Sequence, residues 1–197
     1  MKLIKYKKKN SGQAIIEALV ALGILSVAFF AVLSLLDNSI SLGNVVSDQN
    51  IATYLAGEGI EIVKNLVDTN ISRRNSTSSP ASFDEDFSIG AYEVSYFDPL
   101  DADDPIGSNT QDGKNPGKRI GDVGVRSTNP LDFDEVSGGY YQTYPAPVNP
   151  SHFYRTIVIT RSPGKWIKAE SIVQWIGKGG VTKEIKLEDY FYNWRIY

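Results

Sequence analysis

Hydrophobic positions along the chain fall into three zones with different periods. Residues 18–36 read ALVALGILSVAFFAVLSLL, nineteen positions without a charge. That length is close to the ~20 residues a helix needs to cross a bilayer. The pattern then changes: Ala52, Leu55, Ala56, Gly59, Ile62, Val63 and Leu66 recur at spacings of three and four, with Glu58, Glu61 and Lys64 off the stripe. This is the period of an amphipathic helix with one apolar face. Together the zones predict one helix from about residue 13 to about residue 67, roughly 80 Å long at 1.5 Å per residue. Ser41, Gly43 and Asn44 mark a candidate bend. Gly57 and Gly59 each cost ~1 kcal/mol relative to alanine inside a helix, so their presence predicts close approach of a sheet.

Beyond residue 71 the period becomes two. The segment SRRNSTSSP at residues 72–80 reads as a polar linker. Residues 91–97 alternate, with Tyr92, Val94 and Tyr96 on one face. Residues 98–150 hold seven glycines and seven prolines and read as a loop-rich insertion with short strands near residues 140–144. Three longer strands follow. Phe153, Ile157 and Ile159 share a face in residues 153–161; Ile167, Ala169, Val173 and Trp175 in 166–176; Val181, Ile185, Leu187 and Phe191 in 181–193. Gly177, Lys178, Gly179 and Gly180 supply the turn between the last two. The predicted fold is α+β: a long N-terminal helix, apolar then amphipathic, packed on a small antiparallel sheet.

Charge refines this picture. The chain carries a net −3, yet Lys2, Lys5, Lys7, Lys8 and Lys9 crowd the first twelve residues with no acid among them. Lysines on one side of the apolar run place the N-terminus on the cytoplasmic side and the bulk of the chain across the membrane. The remaining body is acidic, so no nucleic-acid partner is expected. Without cysteine, neither a disulfide framework nor thiolate chemistry is available.

A secretory signal would close its apolar run with a small-residue cleavage site. Here the run ends Leu35, Leu36, Asp37, Asn38, and the distinctive residues precede it: the lysine cluster, Ser11, Gly12, then Gln13, Ala14, Ile15, Ile16 and Glu17. A glycine offers a protease an unobstructed backbone. A lone carboxylate at the edge of an apolar helix is costly and demands a partner. This order of residues resembles the type IV prepilin and pseudopilin family, in which a basic leader ends in glycine and glutamate stands fifth in the mature chain. The resemblance implies cleavage between Gly12 and Gln13 by a prepilin peptidase, methylation of the new amino group at Gln13, and pairing of Glu17 with such an amino group to set assembly register. Many major pilins begin with Phe, whereas Gln13 is more similar to minor pilins. Residues 54–65, YLAGEGIEIVKN, and 190–194, YFYNW, also resemble minor pilins of the PilV type. The implied organisation is a leader at 1–12, a membrane and filament-core helix at 13–36, its amphipathic continuation at 37–70, and a head at 71–197. The implied partners are other pilin subunits and the peptidase-methyltransferase. The implied function is that of a minor pilin in assembly initiation or surface display. A pseudopilin of a type II secretion or DNA-uptake system uses the same residues, and an uncleaved, membrane-anchored adhesin is the alternative outside the family.

Other candidates for chemistry are few. His152 is the only histidine and reads as a surface residue. No residue set suggests catalysis, so no enzyme is expected. Eight acids and no Lys or Arg lie between Asp84 and Asp104. Asp101, Asp103 and Asp104 are therefore calcium candidates. Counted from Asp101, however, Ile106 and Asp112 stand where an EF-hand needs Gly and Glu, so the expectation is a solvated loop without cofactor. The aromatics Tyr140, Tyr141, Tyr144, Tyr190, Tyr192 and Trp194 are open to two readings, a contact surface or sheet packing.

Overall fold

The computed structural model describes residues 11–76, 83–84, 87–94, 117–136, 138–142 and 147–194. The chain divides into two units, Met1–Val46 and Ser47–Tyr197. One helix, α1 (Ser11–Ser76), supplies every described residue of the first unit and opens the second. It continues through Ser41, Gly43 and Asn44 without a break in helical hydrogen bonding, so those residues are absorbed into the helix. It also passes the expected end near Val67, and residues 72–76 of the supposed linker are helical. Ile71 accounts for part of this extension by packing against the core one turn beyond Val67.

The described residues of the second unit form seven strands: β1 (Gly90–Val94), β2 (Gly117–Gly121), β3 (Asp132–Asp134), β4 (Gly139–Tyr141), β5 (Phe153–Ser162), β6 (Trp166–Ile176) and β7 (Thr182–Tyr192). Five form an antiparallel sheet in the order β2-β1-β5-β6-β7, while β3 and β4 pair as a separate ribbon. β5 and β6 are paired over ten residues, from Phe153 opposite Trp175 to Ser162 opposite Trp166. β6 and β7 are paired over eleven, from Trp166 opposite Tyr192 to Ile176 opposite Thr182. Gly179 and Gly180, at φ 86° and 76°, give the β6–β7 turn the left-handed backbone that a residue with a side chain rarely adopts.

Alternation decides what each strand buries. Tyr92 and Val94 of β1, Ile157 and Ile159 of β5, and Ile167 and Ala169 of β6 meet Ile62, Val63, Leu66 and Val67 of α1. Nearer the start of the helix, Ala52, Leu55 and Ala56 meet Phe153, Val173, Trp175 and Leu131. The amphipathic half of α1 therefore packs on the sheet as its stripe predicts. Ala91, Val158 and Ile172 lie on the other face with Ile120. There Ser127 donates its amide to Thr156 Oγ1 at 2.8 Å and its hydroxyl to Glu93.

Of the tract 98–150, residues 98–116, 137 and 143–146 lie outside the described residues; the rest carries β4, the short strand expected near residue 140, together with two further strands. β2 adds an edge strand to the main sheet, and β3 and β4 form their ribbon within it. Asp132 is fully buried and accepts the amides of Val148 and Asn149, which orders the return to β5. Glycine at both ends of β2 obscured its alternation. Val181 also departs from its expected place: it precedes β7 and is exposed rather than on the buried face.

Candidate functional site

The N-terminal unit is defined by what it leaves uncovered. Ile15, Phe30, Val27, Ile24, Val32 and Phe29, spread around the helix at 100° per residue, are each more than half exposed. Apolar residues on every side, rather than on one stripe, mark a helix whose surroundings are themselves apolar. α1 is long and apolar enough to cross a membrane. Its nineteen uncharged residues rise roughly 28 Å at 1.5 Å each, near the ~30 Å of a hydrocarbon core.

Gly12, Gln13 and Glu17 lie in the opening turns of this helix, and all three are exposed. A Cβ placed on Gly12 meets nothing within 4 Å. Glu17 has no ion-pair partner among the described residues, and it is the sole acid before Asp37. The helix thus offers a carboxylate at one end of a surface with no other charge for nineteen residues.

In the head, the docking of α1 is keyed by a polar contact inside the apolar interface. Arg155 of β5 is 1% exposed and lies between Phe153 and Ile157 on the inward face. Its Nη1 donates to Glu58 Oε2 at 3.0 Å and to the Leu55 carbonyl at 3.3 Å, and its Nη2 donates to the Val94 carbonyl at 3.0 Å. One guanidinium thus joins the helix, β1 and β5. Alternation alone carried a signal for it: an arginine at inward parity on an oily strand face needs an acid from the element above, and Glu58 borders the apolar stripe. A second clasp lies at the far end of β5. There Arg161 donates to Asp84 Oδ2 at 3.1 Å, and the same oxygen accepts the Gly164 amide at 3.0 Å.

Gly59 and Gly57 separate in role. A Cβ on Gly59 would stand 2.6 Å from Ile157 Cδ1 and closer still to Ser171 Oγ, whereas one on Gly57 meets nothing. The close-approach expectation therefore holds for Gly59 alone.

His152 is half-exposed, with Nε2 3.3 Å from Asp48 Oδ1 and its ring against Phe153. It ties α1 to the start of β5. Burial first, and the Asp48 carboxylate second, push the Tyr140 phenol above its usual pKa. The aromatics divide by location. Tyr140 packs against Phe133 and Phe153 at 5.0 and 5.7 Å and belongs to the core. Tyr141 is half-buried, and Tyr144 lies outside the described residues. Tyr190, Tyr192 and Trp194 are 42%, 60% and 72% exposed and form a surface with Trp166, whose ring meets Tyr190 at 5.9 Å.

Beside them, on the sheet face away from α1, runs a charge lattice. Lys168 reaches Glu170 at 2.8 Å and Glu188 at 3.1 Å, and Lys186 reaches the same two acids at 3.1 and 3.4 Å. Hydrogen bonds from Lys168 hold the Glu170 and Glu188 carboxyls below their usual range, and those two acids raise Lys168 and Lys186. Lys168 also lies over the Tyr190 ring at 5.4 Å.

The calcium candidates Asp101, Asp103 and Asp104 fall outside the described residues. Among the described residues, no three His, Asp or Glu side chains converge as a metal site. No family model, curated protein or solved structure matches the chain.

Proposed function

We propose that the chain is a minor type IV pilin, a filament subunit rather than an enzyme, in which α1 first anchors the protein in a membrane and then packs among the helices of other subunits. One observation carries the reading. An apolar helix exposed on every side begins within a few residues of a glycine that follows a lysine cluster, and it bears one acid four residues after that glycine's neighbour Gln13. Lipid and a sheath of similar helices are both apolar surroundings for such a surface. Removal of residues 1–12 creates an α-amino group at Gln13. In a low-dielectric bundle, that cation and the Glu17 carboxylate of the same or a neighbouring copy satisfy each other and fix axial register. The head is displayed outside.

The experiment is mass spectrometry of the N-terminal peptide from sheared surface material and from membranes of the native cell. The expected peptide starts at Gln13, carries one added methyl and is present in the sheared fraction. The same peptide confined to membranes favours a pseudopilin of a secretion or DNA-uptake system. A peptide starting at Met1 or Lys2 overturns the proposal in favour of an uncleaved, anchored adhesin.

A further inference from the structure

We infer that the outer edge of β7 is a homotypic contact surface that pairs with the same strand of a second copy running the opposite way. β7 is the last strand of its sheet, hydrogen-bonded to β6 along all eleven residues, and among the described residues no strand pairs with its other side. A long edge of this kind is a template for another strand. What selects the partner is the order of charges. When Thr182–Tyr192 is laid antiparallel on a second copy over its full length, Leu187 faces Leu187. On either side of that centre, Lys186 faces Glu188, twice by symmetry. Opposite charges directly across a strand pair stabilise it. Glu184 then faces Tyr190, whose phenol can donate to it, and Thr182 faces Tyr192.

Neighbouring registers lose the match. A slide of two residues one way sets Lys186 against Lys186 and Glu184 against Glu188; a slide the other way sets Glu188 against Glu188. Like charges directly opposite are destabilising. Slides by an odd number turn the buried face of one strand outward. The alternating Lys and Glu therefore favour the full-length register with a second copy: a slide of four residues also sets Lys186 against Glu184, but it pairs only seven of the eleven strand residues.

The geometry also says how the copies meet. Within the head, α1 advances from Phe153 and Trp175 towards Ile159 and Ile167, so it runs parallel to β5 and hence to β7. Antiparallel β7 pairing therefore sets the head segments of the two α1 helices antiparallel. A single strand-to-strand contact is small, and many copies acting together would multiply it. The inference does not depend on filament assembly.

The test exploits the absence of cysteine. Lys186→Cys, Glu188→Cys and Glu184→Cys are prepared separately as full-length chains in detergent micelles, checked by circular dichroism, mixed in pairs and oxidised. Residues facing each other across antiparallel strands lie within the ~4.4–6.8 Å Cα separation a disulfide tolerates, and residues offset by two lie beyond it. The expected result is a disulfide-linked dimer from the 186 and 188 mixture, in several-fold excess over each variant alone and over the 184 and 188 mixture. Equal yields in all combinations, or no dimer from the 186 and 188 mixture, overturn the inference.

Discussion

Gly57 and Gly59 stand two positions apart in one helix, and alanine at each has opposite consequences. A methyl on Gly59 has to displace Ile157 Cδ1 and Ser171 Oγ, both of buried residues. Overpacking of that kind costs about 1–3 kcal/mol, partly offset by the ~1 kcal/mol that alanine gains over glycine in a helix. On Gly57 only the gain operates. The expected outcome is that Gly59→Ala lowers the melting temperature of the full-length chain in detergent, while Gly57→Ala leaves it unchanged or raises it. Equal effects would mean that α1 does not approach the sheet at Gly59. The sequence shows two glycines in an amphipathic stretch and cannot rank them, because the distinction lies in which helix face meets Ser171, a partner more than a hundred residues away.

At the scale of elements, alternation carried β5 and β6 because each buries one face against α1, so side-chain parity and burial coincide; on β7 the inward Ile185, Leu187 and Phe191 are only partly buried. The inward sets Phe153, Ile157, Ile159 and Ile167, Ala169, Val173, Trp175 are found as the alternation places them. β2 was not legible: its five residues are GKRIG, too short and polar to show a period, and β1 rather than composition makes it a strand. Nor was the lattice on β6 and β7. Its members lie on polar positions of ordinary strands, and their meaning appears only with the register that sets Glu170 opposite Glu188 and places lysines on the diagonals. The lattice carries a pH signature. Glu170 and Glu188 hold lower pKa values folded than unfolded. Their contribution to stability is therefore present above the ordinary carboxylate value of ~4.3 and is lost as pH falls through the depressed folded values. Replacing Lys168 with Met removes the hydrogen bonds that lower both carboxyls most. Thermal melts of the full-length chain between pH 6 and 3 are expected to fall less steeply in Lys168→Met than in the wild type. Parallel slopes would show that the lattice carries no such linkage.

Across the whole molecule, charge is sorted along the chain. Five lysines precede the helix, one acid stands at its start, none follows until Asp37, and acids exceed bases in the head. The N-terminal pattern consists of adjacent residues and can be read from sequence alone; of the head's Arg155–Glu58 contact only an arginine at inward parity could be read, because its partner is nearly a hundred positions away. Under the proposed assembly, Glu17 has two separable relations. The peptidase acts at Gly12, five positions earlier, so cleavage should not need the carboxylate. Entry into a bundle of apolar helices should need it, because an amino group at Gln13 would otherwise enter that bundle unpaired. Glu17→Gln keeps the size and the helix propensity and removes only the charge. Its N-terminal peptide is expected still to begin at Gln13, while its share in sheared filaments falls about tenfold or more. Tenfold corresponds to ~1.4 kcal/mol, a modest demand on a charge pair in a low dielectric. The ratio of processed protein in filaments to processed protein in membranes measures this directly, and it separates assembly from processing. An unchanged ratio would leave Glu17 a solvated acid at the membrane edge and remove it from assembly. A fall in processing without a change in the ratio would assign it instead to recognition by the peptidase.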